Sequence, residues 1–299
     1  MLITKLGEFG LIERFRKRIR TNASVIKGSG DDCAVLKFDK DHYQLFTCDM
    51  LVEGVDFRKQ ENPYLIGRKA IAVSISDIAA CAGLPQHCLV SLGLAKKTPL
   101  KFVDRLFKGM CDLAAKYRIN IVGGDLSRSD KLTIDVSMLG LVEKKCLVLR
   151  GGAREKDIIF VTGGLGGSIS GKHLKFTPRL KEARFLVENF QINSMIDISD
   201  GLIQDLKHIL KLSKLGAVIF AQRVPLSRVA YGLNDALTSG EDFELLFTVA
   251  PGQAKKIFSD KRARNFRAIG EIVKEKYGLK LIDQNGKEKN IISKGYRHF

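Results

Sequence analysis

No C-x-x-C pair occurs in this sequence of 299 residues, and its six cysteines, Cys33, Cys48, Cys81, Cys88, Cys111 and Cys146, all fall in the first half. That spacing offers neither a disulfide framework nor a thiolate zinc site, so buried, reduced thiols are expected. Long apolar runs are also missing. The longest stretch, Ala70 to Leu84, is interrupted by Ser74, Ser76 and Asp77, which excludes a membrane span there. The N-terminal MLITKLGEFG carries an early glutamate instead of the apolar centre of a secretion signal, and a cytoplasmic protein is expected. A dinucleotide fingerprint G-x-G-x-x-G is absent from the Gly-rich loop after residue 162, because position 169 is isoleucine. The same loop matches the phosphate-binding G-x-x-x-x-G-K from Gly166 to Lys172, but position 173 is His where a Mg²⁺-binding hydroxyl should stand. A glycine-rich connection that packs a helix closely on a strand is the expected role. Finally, no nucleic-acid motif accompanies the net charge of +17, which arises from 50 basic and 33 acidic residues spread over segments such as Arg14 to Arg20 and Lys255 to Arg264. Solvated basic surface that also attracts phosphate ligands accounts for it.

What is present is a globular chain. With 45% hydrophobic and 28% charged residues there is enough apolar material for two domains of ordinary size. The most informative stretch is Leu45 to Phe57, LFTCDMLVEGVDF, an apolar strand expected to end at Asp49 and lead into a loop with Glu53 and Asp56. A buried, unpaired carboxylate is costly, so Asp49 is expected to face a cleft and to have a cationic partner. Four more segments share this design: GSGDDCAVL (28–36), SISDIAA (74–80), INIVGGD (119–125) and MIDISDGL (195–202). Asp31, Asp32, Asp49, Asp77, Asp125, Asp197 and Asp200 cannot all stay ionised close together without repulsion. Several Mg²⁺ ions would relieve it, and Mg²⁺ is commonly held by a few carboxylates together with substrate phosphates. Metal ions beside a basic surface point to phosphoryl transfer.

In chain order, the spacing predicts a helix over 5–20 with Phe9, Leu11, Ile12 and Phe15 on its apolar side, then strands over 33–38 and 43–49 in a hairpin. A helix over 63–82 puts Asp77 on the same face as Ser74. A strand over 86–95, a helix over 102–117, a strand over 119–122 and an alternating strand over 132–142 follow. Gly151, Gly152 and a run of charges between Lys144 and Asp157 mark a boundary, placed between residues 1–146 and 147–299. The second half reads as strands over 157–162, 216–220, 243–249 and 267–273 with helices over 179–190, 201–214, 226–237 and 251–263. A last hairpin turns at Asn285-Gly286. Both halves mix strands and helices, giving an α/β or α+β protein of two domains.

GSGDDCAVL, TCDMLVEGVDF, GRKAIAVSISDIAA, IVGGDLSRS, MIDISDGLIQDL, SGEDFELLFT and KGYRHF, taken in order over nearly the whole chain, resemble the thiamine-monophosphate kinases. Their superfamily also contains aminoimidazole ribonucleotide synthetase and selenophosphate synthetase. The resemblance implies a two-domain aminoimidazole ribonucleotide synthetase-like fold, with N-terminal domains that pair into a barrel across a homodimer. It implies ATP-dependent phosphorylation of thiamine monophosphate to thiamine diphosphate, with several Mg²⁺ ions between the substrates and with no nucleic acid or membrane partner. By the family pattern Asp32, Thr47, Cys48, Asp49, Asp77, Asp125, Asp197 and Asp200 match metal-binding positions, Cys48 through its backbone carbonyl because a thiol is a poor Mg²⁺ ligand. Gly124, Asp125, Arg150 and Ser199 match the ATP side, and Asp56, Glu241 and Tyr296 the thiamine side. Direct transfer is expected, with no catalytic base, since the attacking phosphate is already largely a dianion at neutral pH. Two departures stand out: Asp56 replaces the usual His of VEGVHF, and the segment between Gly167 and Pro178 is short. A related ATP-dependent synthetase and a basic nucleic-acid-binding protein are the alternative readings.

Overall fold

Residues 3–291 are described by the structure, a computed structural model. The first half runs α1 (Ile3–Arg16), β1 (Val25–Lys27), β2 (Ala34–Lys37), β3 (His42–Val52), α2 (Pro63–Ala80), β4 (Leu84–Leu94), α3 (Leu100–Lys116), β5 (Asn120–Arg128) and β6 (Thr133–Glu143). Its strands form one sheet in the order β1-β2-β3-β6-β4-β5, antiparallel except for the β4–β5 pair. The two-residue period of β3 sets the faces of that sheet. Leu45, Thr47 and Leu51 are buried while Phe46, Cys48 and Met50 are exposed.

The inner face is covered by α2. Asn62 caps this helix by accepting from the Tyr64 N–H at 3.0 Å, and Pro63 opens its first turn. Thirteen of the eighteen residues of α2 are buried and none is exposed, because the helix lies between the first sheet, α3 and elements of the second half. Its approach to α3 requires glycine on both sides. A Cβ on Gly67 would fall 1.9 Å from the Leu106 carbonyl oxygen, and one on Gly109 equally close, 1.9 Å, to that of Tyr64.

The second half contains β7 (Ile158–Val161), α4 (Lys172–Lys175), α5 (Leu180–Asn189), β8 (Ser194–Asp197), α6 (Leu202–Ser213), β9 (Leu215–Phe220), α7 (Leu233–Thr238), β10 (Leu245–Val249), α8 (Pro251–Ser259), β11 (Arg267–Lys274), β12 (Leu279–Ile282) and β13 (Glu288–Asn290). These strands form a second sheet in the order β13-β12-β9-β11-β7-β10-β8. One face, with Phe160, Met195 and Phe247, joins the core that extends from α2 and α3. The other, with Ile159, Ile196 and Ile219, packs with Leu202, Leu206 and Ile209 of α6. Two α/β halves thus share a continuous apolar seam in which α2 is central.

Several boundaries differ from expectation for local reasons. The strand expected over 119–122 continues to Arg128, so Gly123, Gly124 and Asp125 are part of β5. Glycine is used here for close approach: a Cβ on Gly124 would sit 1.7 Å from the Val90 carbonyl oxygen. The helix expected over 226–237 starts only at Leu233, after Gly232 at φ +127°, a conformation that a right-handed helix cannot contain. Helix 251–263 ends at Ser259, and Asp260 then caps a short turn by accepting from the Arg262 N–H at 2.9 Å. The helix after the Gly-rich loop is only the four residues of α4. Helix α1 ends at Arg16, is broken at Gly7 (φ +69°), and leaves Ile12 and Phe15 exposed rather than on a buried side.

Candidate functional site

Asp32, Asp77 and Asp197 come from three distant segments and each brings a carboxylate oxygen within 4.8 Å of the other two. Asp32 follows the Gly-rich turn before β2, Asp77 lies in the last turn of α2, and Asp197 ends β8. Hydroxyls and one guanidinium fix them. Thr47 donates to Asp77. Ser76 donates to Asp197 Oδ2 at 2.6 Å, and Arg150 Nη2 to Asp32 Oδ1 at 2.9 Å. The Arg150 backbone N–H also reaches Asp31 Oδ1 at 3.0 Å. Asp49, next to the cluster, accepts from the Ser74 hydroxyl at 2.7 Å. β3 runs on to Val52 instead of ending at Asp49, and a hydroxyl from α2 meets the carboxylate.

These acids repel one another. Burial first, with the charges of Asp135, Asp32 and Asp56 adding, pushes Asp49 up to about 6 despite the Ser74 hydroxyl. Burial and the neighbouring Asp32 push Asp197 up to about 8. Asp77 is raised well above the carboxylate range by burial and by Asp49, Asp197 and Asp32. Arg150 is the one cation bonded to the cluster among the described residues, and Asp32 Oδ2 remains buried with no hydrogen-bond partner. The orphaned oxygen and the all-oxygen donor set fit a hard divalent cation, with Arg150 opposing only part of the charge.

A second group sits alongside. Asp200, Asp205 and His208 bring their ligand atoms within 4.8 Å of one another, and Asp205 Oδ2 accepts the Asp200 N–H at 3.1 Å. Burial, with the charges of Arg150 and Lys211, holds His208 down to about 4, so its imidazole is neutral near pH 7. Phe9 of α1 packs edge-on against that ring, 5.2 Å between centroids.

A cavity of about 340 Å³ adjoins the acids and is lined by Asp49, Ser199 and Asp200 together with Val55, Phe57, Ile169 and Phe243. Asp56, Glu61 and Glu241 add carboxylates to its wall, and Arg58 and His173 add basic groups. Glu241 is held by Lys69, a fully buried lysine of α2 whose Nζ also donates to the Asp56 carbonyl at 2.6 Å. Glu241 and Phe243 have φ of +63° and +51°, an arrangement that costs non-glycine residues about 1–3 kcal/mol each. Their N–H groups donate to the carbonyls of Ser199 at 2.7 Å and Ile198 at 2.8 Å, and Asp242 between them is anchored by Ser168, Lys172 and the Gly166 N–H. Lys172, the lysine of the P-loop-like match, is thereby engaged by Asp242 and by the Gly164 carbonyl at 2.8 Å. It closes the loop, and the short α4 that follows packs on α2 and not, as the glycine-rich connection suggests, on the preceding strand.

Not every expected site residue meets the others within one chain. Asp125 pairs with Ser91, which pairs with Asp135, which pairs with Met50. That row is one residue out of step with Asp49, so it opens to the other face of the sheet, where Asp125 is exposed. Cys48 shares this outer face, its Sγ lying 3.1 Å from Asp135 Oδ2. Gly124 is beside Asp125 on the same edge strand, and Ser199 is at the cavity. The Asp56 carboxylate accepts the Val52 N–H at 2.7 Å. Tyr296 lies outside the described residues.

The matches to known proteins agree with this arrangement. Residues 30–142 match the family model described as AIR synthase related protein, N-terminal domain, and residues 148–282 its C-terminal domain. The thiamine-monophosphate kinase of Buchnera aphidicola subsp. Schizaphis graminum is 36% identical over 98% of this chain and 99% of its own, and that of Aquifex aeolicus 33% identical over 100% of both. A solved structure, AaThiL complexed with AMPPCP and TMP, superposes with a TM-score of 0.88 at 30% identity, covering 100% of this chain and 99% of that one. The chain belongs to the thiamine-monophosphate kinase family.

Within that family, residues beyond the acidic motifs build the site of this chain. Ser76, Lys69, Glu61, Asp205, His208 and Asp242 were not singled out from the sequence. Ser76 and Lys69 carried a readable signal, since polar residues inside an otherwise apolar helix need partners. Asp205 and His208 lie three apart on α6, a helical neighbour spacing that brings both to Asp200. Glu61 had no such signal. Among the described residues no helix is long and apolar enough to cross a membrane.

Proposed function

We propose that this protein phosphorylates thiamine monophosphate to thiamine diphosphate at the expense of ATP, by direct in-line transfer at Mg²⁺ ions. The carrying observation is the convergence of Asp32 and Asp77 with Asp197 beside a cavity that is both apolar and acidic. Asp32, Asp49, Asp77, Asp197 and Asp200, with Thr47 and the Cys48 carbonyl, would hold the metal. Bound there, Mg²⁺ screens two anionic phosphates from each other and stabilises the charge on the transferring group. Arg150, Ser199, Gly124 and Asp125 serve ATP, and Asp56, Glu241 and Tyr296 the thiamine moiety, whose positive ring suits the carboxylates of the cavity. The two parts divide as residues 1–146, which supply most of the metal ligands and the dimer face, and residues 147–299.

The protein acts in the cytoplasm as a homodimer. Phe46, Met50 and Leu89 expose apolar surface on the outer side of the first sheet, each at least 43% accessible. A second copy covers this face, and Asp125 meets nucleotide at that junction. The test is incubation of the purified protein with ATP, Mg²⁺ and thiamine monophosphate, with chromatography of the products. Thiamine diphosphate and ADP should appear in equal amounts with no phosphate retained on the protein. ADP without thiamine diphosphate, or a phosphorylated protein, would count against the reading.

A further inference from the structure

We propose that Glu61 and His173 recognise the amino group on the pyrimidine ring of the thiamine moiety, and so make the enzyme selective for an amine-bearing substrate. This rests on the reading of the cavity as a thiamine phosphate site. The two residues reach the cavity from opposite halves, Glu61 just before α2 and His173 on α4. Each is fixed on one side. His173 is buried, and its Nδ1 lies 2.7 Å from the Ser168 carbonyl oxygen, which can only accept, so Nδ1 carries the hydrogen. In the neutral ring Nε2 is then a lone-pair acceptor. The Glu61 carboxylate is oriented by the Arg58 N–H, which donates to Oε2 at 3.1 Å.

Nε2 of His173 and Oε2 of Glu61 face each other at 3.9 Å, too far for a hydrogen bond between them. Two acceptors so placed fit a ligand nitrogen about 3 Å from each, donating one N–H to either side. A primary aromatic amine has both hydrogens. The walls suit the rest of such a ligand. Phe57, Ile169 and Phe243 offer apolar surface for a flat ring, and Asp56, Glu61 and Glu241 favour a cation over a polyphosphate. Adenine also carries an aromatic amine, but its triphosphate would have to approach those three carboxylates, so thiamine is the occupant assigned.

The experiment compares kcat/KM for thiamine monophosphate with that for the analogue in which the ring amine is replaced by a carbonyl, in the full-length protein. ATP and inosine triphosphate are compared in parallel. Wild type should prefer the amine by roughly 100-fold, because a carbonyl oxygen would face two acceptors. Glu61→Gln keeps an oxygen for the Arg58 N–H but adds a donor, and should bring the ratio to about one. His173→Asn keeps a donor for the Ser168 carbonyl but removes Nε2, and should reduce the ratio roughly tenfold. KM for ATP and the thermal midpoint should stay at wild-type values in both. An unchanged ratio in both variants would overturn the proposal, as would a shift in the ATP-over-inosine-triphosphate preference instead. A wild-type protein that makes no thiamine diphosphate at all would remove the parent reading and this inference with it.

Discussion

The Ser76 hydroxyl, on α2 of the first half, donates to the Asp197 carboxylate at the end of β8 in the second, 2.6 Å away. The bond joins the two halves at the point where acids from both meet, so the geometry of the acidic cluster depends on the seam between them. It also gives one of the three clustered carboxylates a partner that does not neutralise its charge.

Asp197→Asn should separate charge from shape. The amide oxygen can still accept from Ser76, so the fold is kept, but an anionic ligand is lost. Turnover with Mg²⁺ should fall roughly 100-fold or more, while the metal-free thermal midpoint at pH 8 should rise because repulsion with Asp32 and Asp77 is relieved. Steady-state kinetics and a thermal melt of the same preparation check both.

Stability should depend on pH in the opposite sense to a salt-bridged carboxylate. Asp49 and Asp197 are raised to about 6 and about 8, so above the ordinary carboxylate range the folded chain holds protons that the unfolded chain has released. Stability of the metal-free protein therefore falls as pH rises from about 4 to about 8. Mg²⁺ binds the ionised form, so it should raise the midpoint strongly at about pH 8 and little at about pH 5. Thermal melts across this range, with and without Mg²⁺, decide it.

Lys69→Met should leave the Glu241 carboxylate without its cation in a largely buried setting. A loss of about 3 kcal/mol is expected, together with a raised KM for thiamine monophosphate and little change in KM for ATP. Urea unfolding and kinetics read the two effects, and the double variant Lys69→Met, Glu241→Met should recover much of the stability but not the activity.

Gly67→Ala sets a propensity gain against a clash. Alanine favours a helix by about 1 kcal/mol over glycine, but its Cβ would lie 1.9 Å from the Leu106 carbonyl oxygen, a backbone atom that cannot turn aside. The clash should win, with a net loss of about 2 kcal/mol, read as a lower urea midpoint with an unchanged slope.

Much of this molecule can be read from its sequence because the pattern is local. The two-residue period of β3 and β6, the apolar run of α2 and the Asn-Gly turn before β13 each specify their element directly. What could not be read depends on partners from elsewhere. Whether Asp125 shared a face with Asp49 depended on the register of β4, β5 and β6, and a shift of one residue decides the face. The hydroxyl beside Asp49, the lysine behind Glu241 and the facing of Glu61 by His173 are tertiary meetings between segments whose separation in sequence carries no spacing rule. Glycine misled twice, marking close backbone approach in β5 where it suggested a strand end, and breaking a helix at Gly232 where apolar spacing suggested continuity.

The most direct measurement is an anomalous difference map from crystals grown with Mn²⁺ in place of Mg²⁺ and a non-hydrolysable ATP analogue. Peaks bounded by the carboxylates of Asp32, Asp77 and Asp197, with Asp49 at the edge of the cluster, are the predicted result. Occupied nucleotide with no metal among those carboxylates would contradict the assignment of the acidic cluster as the place where the two phosphates are brought together.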